Sequence, residues 1–489
     1  MTEKQKQDLA ALSLSQVATL LAQGETSSSE ITGMMLERIE ADESNAYITI
    51  CDKAMQDAAE ADGRRRDGKA LSAVDGVPMA LMDNLSVKGM KMTCASRMLE
   101  GFTPPFSGTA PLRLESAGAI LLGKLNMDEF AAGNTGGASL YGRVKNPRDP
   151  ARTAGGASGG AAAAVAGDVA YFAVGSDGGG SARLPAAFCG VIGLKPTYGR
   201  ISRYGLAALA SSMDQAALLN KTAEDCAIVL ALLAGQDPLD PTSLPDPPQD
   251  YRGGLAGADG LKGLRIGVPG EYAGPEIRED IRESMDALAS ALREAGAIVE
   301  ACSLPHTKYA LSAYYVIASA EFNSNMNRYD GVKFGYRARD YENYDDMLMK
   351  TRGEAFGDEV KRRILFGLYA LTGDRYDAYY LKGTKARSLI AADFQQAFSR
   401  YDLLLTPSAP VTAWPLDRAF MDPAEGYGMD FCTAAASLAG LPAISIPWGE
   451  DKEGLPIGAQ FTGPTLSEGT ILRAAHGIEE LRGRRSRDV

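Results

Sequence analysis

Between Gly155 and Pro185 the chain passes from a Gly/Ser loop through an Ala-rich run and an apolar segment into a second Gly-rich loop. The first loop is Gly155-Gly156-Ala157-Ser158-Gly159-Gly160, and the second is Asp177-Gly178-Gly179-Gly180-Ser181-Ala182-Arg183-Leu184-Pro185. Between them, Ala161–Ala166 leads into the apolar segment Val169–Val174. The same texture, short strands alternating with glycine loops and helices, starts at Val74 and recurs at Ala119–Leu122, which is followed by Asp128 and Phe130. Further on, Leu264–Val268 reads as a strand, Ile277–Ala295 as a charged amphipathic helix and Ile298–Cys302 as another strand. Leu403–Thr406 and Ala443–Ile446 are late strands, each followed by proline. This alternation predicts an α/β fold, a sheet with helices on both faces.

The first seventy residues read differently. Leu14, Val17, Leu20 and Leu21 recur at helical spacing with Gly24 as a stop, and Ser27–Ser29 offer caps for a second helix through Ile31, Met34, Met35, Leu36 and Ile39. A charged, glycine-containing link, Gly63–Lys69, follows. The expected organisation is therefore an N-terminal helical segment, 1–68, and one α/β unit, 69–489. The prolines crowded into 237–259, Pro248 among them, form a surface connection within that unit. Length alone would suggest about three domains, but large α/β enzymes often form one.

Composition excludes several classes. The opening Met1–Ala10 is polar, so no secretory signal is expected, and no apolar run reaches the ~18 residues of a spanning helix. Six scattered cysteines without a CxxC pair fit reduced thiols in a cytoplasmic protein. Only His306 and His476 could serve a histidine-based site, and neither lies in a motif, so no metal and no cofactor are expected. A net charge of −12 leaves no basic field for nucleic acid.

The glycine loops point backbone N–H groups into a concavity that suits an anion or an oxyanion. Gly159-Gly160-Ala161 lacks the Lys and hydroxyl of a phosphate loop. In the second loop, three glycines before Ser181 let the N–H groups of Gly178–Ser181 converge on one oxygen, as acyl transfer requires. Taken alone, the cluster is read equally well as a glycine-rich turn in a packed sheet.

The two loops together resemble the blocks of the amidase-signature family. Further blocks look like its amidotransferase A-subunit group: Gly76-Val77-Pro78, Asp83-Asn84-Leu85, Asn126-Met127-Asp128-Glu129-Phe130, Gly193-Leu194-Lys195-Pro196-Thr197, Glu359-Val360-Lys361-Arg362-Arg363 and Ala439-Gly440-Leu441-Pro442. The resemblance covers nearly the whole chain in order. It implies a central mixed sheet, and a triad in which a neutral Lys acts through a bridging Ser on a nucleophilic Ser. By position, the nucleophile falls on Ser181 and the oxyanion donors on Gly178, Gly179 and Gly180. The bridging serine falls on Ala157 and the lysine on Met82, so two of the three catalytic side chains are replaced. Ser158 is adjacent to the bridging position and is expected to point elsewhere. Arg363 and Asp430 fall where that group clamps the carboxylate and amino group of glutamine. Asn134-Thr135-Gly136-Gly137-Ala138-Ser139 stands where Ser-Ser-Thr-Glu-Asn-Ser is usual, and Gly178 replaces a Thr.

Met has no group that accepts a proton usefully, and a serine hydroxyl is a poor nucleophile without a base. The reading is a divergent A-subunit homologue, an impaired amidase that binds a small amide or amino-acid-like ligand or a partner subunit. The alternative is an active amidase or acyl-transfer enzyme using Ser181 with a non-standard base. A third expectation is an inactive transamidation subunit that works with B- and C-type partners.

Overall fold

The computed structural model describes residues 3–247, 249–418 and 423–485; Pro248 of the proline-rich stretch lies outside them. Among these residues thirteen strands run in chain order: β1 Tyr47–Ile50, β2 Pro78–Met82, β3 Ile120–Leu125, β4 Lys145–Asn146, β5 Asp149–Thr153, β6 Phe172–Asp177, β7 Ile192–Lys195, β8 Gln215–Asn220, β9 Arg265–Pro269, β10 Ile298–Cys302, β11 Leu403–Pro407, β12 Ala443–Glu450 and β13 Pro456–Thr462. Eleven form one sheet in the order β1-β3-β2-β6-β8-β7-β12-β13-β11-β9-β10, while β4 and β5 pair as a small ribbon. The sheet is mixed: β2 is parallel to β3 and β6, and β9 to β10 and β11. β8 runs antiparallel to β6 and β7, and β13 antiparallel to β11 and β12. β2, β6, β8 and β13 are buried along their whole length, because helices cover both faces, and this explains their nearly continuous apolar or small residues.

The N-terminal helices form as their caps dictate. Ser13 and Ser27 each head a capping box, with Gln16 and Glu30, over helices Leu14–Gln23 and Ser28–Ala41. Gly24 closes the first of these helices at φ 72°. The first 68 residues also contain β1, which pairs with β3 at Tyr47↔Leu125, so the segment is not helical throughout. The proline-rich connection is stitched to the body through Arg200, whose guanidinium donates to the carbonyls of Asp246 and Pro247 and to the Tyr251 hydroxyl. No helix among the described residues is long and apolar enough to cross a membrane.

Two features of this sheet build the site. Parallel pairing of β2 with β6, Leu81 opposite Val174, brings Met82 and Asp177 out at the same sheet edge. The helix Gly159–Ala166 packs on β6 and β2, which carries the first glycine loop to that edge as well.

Candidate active site

Met82 ends β2 with no exposed surface, and its thioether sits at the position where the resemblance would lead one to expect the amine of a neutral lysine. Around Sδ stand two hydroxyls, Ser158 Oγ at 3.2 Å and Ser176 Oγ at 3.6 Å. Ser158 therefore does not point away, as sequence adjacency suggested. It reaches the base of the site because its hydroxyl also donates to the Ser176 carbonyl, at 2.9 Å, and accepts from the Ser176 N–H. Asn84 donates to Ser176 Oγ at 2.9 Å. Ala157 is fully buried, and the Gly156–Ala157 peptide bond is cis. Ser181 Oγ donates to the same Ser176 carbonyl as Ser158, at 2.9 Å. The two hydroxyls thus share one acceptor, and that acceptor cannot take a proton.

The second glycine loop is organised by Asp177 and Arg183, an ion pair at 2.9 Å with both side chains fully buried. Burial alone would raise the Asp177 carboxyl. The charge and hydrogen bonds of Arg183, with help from Lys195, outweigh it and hold the group below the usual carboxylate range. Asp177 also accepts from the N–H of Gly180 at 2.8 Å and from those of Ala182 and Arg183. This corrects the expected oxyanion trio: the Gly180 N–H is committed to Asp177, and of the three glycines Gly178 and Gly179 remain candidates. The loop is hemmed in on every side. A Cβ on Gly179 would collide with the Tyr314 ring, one on Gly180 with Thr433, and one on Gly178 would lie 2.8 Å from Asp214 Oδ1. Asp214 is buried and receives the N–H groups of Leu209 and Ala210; burial, opposed by Arg203 and these N–H groups, pushes its carboxyl up to about 7.

Arg363 and Asp430, far apart in the chain, come together in one buried aromatic cluster. Arg363 lies in the helix Asp358–Leu371, one turn after Glu359, and donates to Glu359 through Nε at 2.9 Å. Its guanidinium packs on the rings of Tyr315 and Tyr427, which stack at 4.1 Å. Among the described residues its hydrogen bonds leave only through Nε. Asp430 accepts through Oδ2 from the Tyr315 hydroxyl at 2.5 Å and from Asn134 at 3.3 Å. Burial, opposed by Tyr315, Arg363 and Asn134, pushes Asp430 up to about 6. Sequence reading missed Tyr315, Tyr427 and Glu359 as parts of this cluster. Only the neighbourhood of Glu359 to Arg363, one helical turn apart, could have signalled any of them.

A cavity of about 620 Å³ lies beside this cluster, lined by Asn134, Glu359, Gly426 and Tyr427 together with Arg97, Glu129 and other residues of the 133–140 loop. Ser181 is not in its lining.

The fold and the paired glycine loops are those of the amidase-signature class. Residues 30–472 match the amidase family, and the chain belongs to it. It is 48% identical over 476 residues to the A subunit of the glutamyl-tRNA(Gln) amidotransferase of Moorella thermoacetica, covering 97% of each chain, and 46% identical over 476 residues to that of Geotalea daltonii, covering 97% and 98%. Among solved structures it is similar to the same subunit from Thermotoga maritima, with 35% identity, TM-score 0.80 and coverage of 96% and 95%. It is also similar to a peptide amidase from Stenotrophomonas maltophilia, with 29% identity, TM-score 0.82 and 97% of each chain covered.

Proposed function

We propose that this chain is a divergent relative of the glutamine-using amidotransferase A subunit that has kept a ligand site and lost ordinary amide hydrolysis. The observation that carries this reading is the thioether of Met82 packed against Ser158 and Ser176 at the base of the site. Ser181 donates its proton to a carbonyl, so no adjacent base draws that proton away. Loss of triad members costs on the order of 10⁴-fold or more in serine hydrolases. The ligand is an amino-acid-like amide: Arg363 takes the carboxylate through its free edge, and Asp430, ionised above about pH 6, takes the ammonium. We further propose that it works beside B- and C-type subunits; its relatives are named as the A subunit of an amidotransferase.

Ammonia release from L-glutamine and L-asparagine is the direct test. Background release is expected from the native chain, and release abolished by Ser181→Ala would overturn the reading. Met82→Lys combined with Ala157→Ser is expected to restore measurable glutaminase activity, because Ser158 and Ser176 offer hydroxyl partners to a neutral amine at that position. Co-purification with B- and C-type partners tests the assembly, and a clean monomer counts against it.

One observation favours the alternative, an active enzyme with a different base. Asp214 lies against Gly178 and its carboxyl titrates at about 7, where a general base works best. Covalent labelling of Ser181 by a serine-reactive phosphonate, lost in Asp214→Asn, would establish this second reading in place of the first.

A further inference from the structure

Two adjacent residues, Asp128 and Glu129, tie both halves of the Arg363–Asp430 cluster to the body of the protein. Asp128 accepts from the N–H groups of Gly136, at 3.1 Å, and Ala138, at 2.9 Å, and so closes the loop that presents Asn134 to Asp430. The Glu129 N–H completes that closure by donating to the Ala138 carbonyl at 3.2 Å. The Glu129 side chain turns the other way. It accepts from Ser96 Oγ and, at 2.9 Å, from the N–H of Gly357, the residue that heads the helix carrying Glu359 and Arg363.

The backbone here is strained. Phe130 and Ala131 adopt φ of 49° and 58°, and Cys94 and Ala95 adopt 50° and 52°; none of the four is glycine. The two pairs are joined by the Phe130 N–H donating to the Cys94 carbonyl at 2.9 Å. The Phe130 ring rests on Tyr329 and on Phe356, next to Gly357. Strain of this kind persists where the surroundings over-determine a precise placement. An ionisable group is also more than a static tie needs: Glu129 is 4% exposed and lines the cavity.

We infer that Glu129 is the positioning residue of the Arg363–Asp430 clamp: by holding Gly357 it sets where Arg363 stands relative to Asp430, and loss of its charge loosens that hold. This rests on the clamp reading above. An ionised carboxylate is the stronger acceptor for the Gly357 N–H and suits the positive end of the helix. Burial pushes Glu129 up to about 7, opposed by Ser96, the Gly357 N–H and Lys361 and reinforced by Asp358, so its charge changes near neutrality. The other charged or titratable groups that share its cavity are Glu359 and Arg362 from the same helix, Glu354 from the preceding one, and Arg97, Arg143 and Arg418; the buried Asp128 adjoins it in the chain and the Cys94 thiol feels its charge.

The test uses the full chain, its Glu129→Gln variant and, as folding control, their circular dichroism and melting curves. Amide exchange of peptides spanning 354–364, corrected for intrinsic rates, is compared at about pH 6 and about pH 8. Protection in the native chain is expected to rise about fivefold to tenfold with pH, and to be independent of pH in Glu129→Gln. Equal behaviour of the two proteins overturns the inference. Calorimetric titration with L-glutamine forms the second arm, in which the Asp430 titration is common to both proteins and cancels. An affinity that tightens with pH more in the native chain than in Glu129→Gln supports the inference, and identical pH profiles overturn it. If exchange follows Glu129 and neither protein binds glutamine, the clamp reading fails as to its ligand while the tie to the helix stands.

Discussion

At the residue scale, the glycines before Ser181 are not equivalent although they read as one run. Gly180 has φ 138° and its missing Cβ leaves the room that Thr433 fills. Gly178 faces only the carboxylate tip of Asp214, which can shift. Gly180→Ala is therefore expected to destabilise the protein by at least about 2 kcal/mol, from backbone strain and overpacking together, and Gly178→Ala by clearly less. Urea unfolding checks this through the midpoints, with the slope unchanged. Equal midpoints for the two variants would contradict it. Met82 and Ala157 stand in intact motif register, which is why the sequence alone raises the expectation of a lost lysine and a lost bridging serine. The commitment of the Gly180 N–H was not, since it depends on how Asp177 turns back over the loop. The reach of Ser158 to Met82 was not legible either, because it follows from the pairing of β2 with β6.

Among the elements, the helix Arg183–Cys189 is held less by its own length than by what it docks against. It has seven residues, too few to stand alone. Arg183 anchors it to Asp177, Gln460, Ser437 and the Thr433 carbonyl in a fully buried network. Removing one charge from such a pair strands the other, so Asp177→Asn is expected to cost about 3–5 kcal/mol. Asp177→Asn with Arg183→Met should cost less than the sum of the two single changes, and a double-mutant cycle on unfolding free energies measures the difference. Strict additivity would mean that the pair is not coupled. Element by element, the sequence showed what is locally encoded: the capped N-terminal helices, the β9–helix–β10 unit and the late strands. It did not show β1, a four-residue edge strand whose partner lies more than seventy residues on. By resemblance it paired Arg363 with Asp430, but it did not show the aromatic cluster in which the two are buried. Asn134 sits on a loop, Tyr315 on the helix Ala310–Met326, Arg363 on the helix Asp358–Leu371, and Tyr427 and Asp430 at and within the short helical turn Gly428–Cys432, and no periodicity links these four places.

For the whole molecule, the buried carboxyls determine how stability changes with acidity. Burial pushes Glu129 and Asp214 up to about 7, Asp430 to about 6 and Glu479 to about 8. Each folded-state value lies above that of the unfolded chain, so between the two the folded state binds more protons. The stability these groups contribute is fully present below their unfolded values, near pH 4, and is lost as pH rises through about 6 to 8. Lys195 acts in the opposite sense. Burial and the neighbouring Arg183 lower its ammonium to about 7, against the pull of Asp177 and Glu468, so above that pH the unfolded chain holds the extra proton and stability rises. The sum predicts a melting temperature that falls by several degrees from about pH 5 to about pH 7 and then flattens, as Lys195 offsets the last of the carboxyls. Thermal unfolding followed across that range checks the sign directly. Replacing Asp214 with Asn should shrink the fall without moving its direction, because Asn cannot titrate and still accepts from the N–H groups of Leu209 and Ala210. A melting temperature that climbs from about pH 5 to about pH 7 would mean that these carboxyls are ionised in the folded protein throughout, and Glu129 would then have no charge to lose near neutrality.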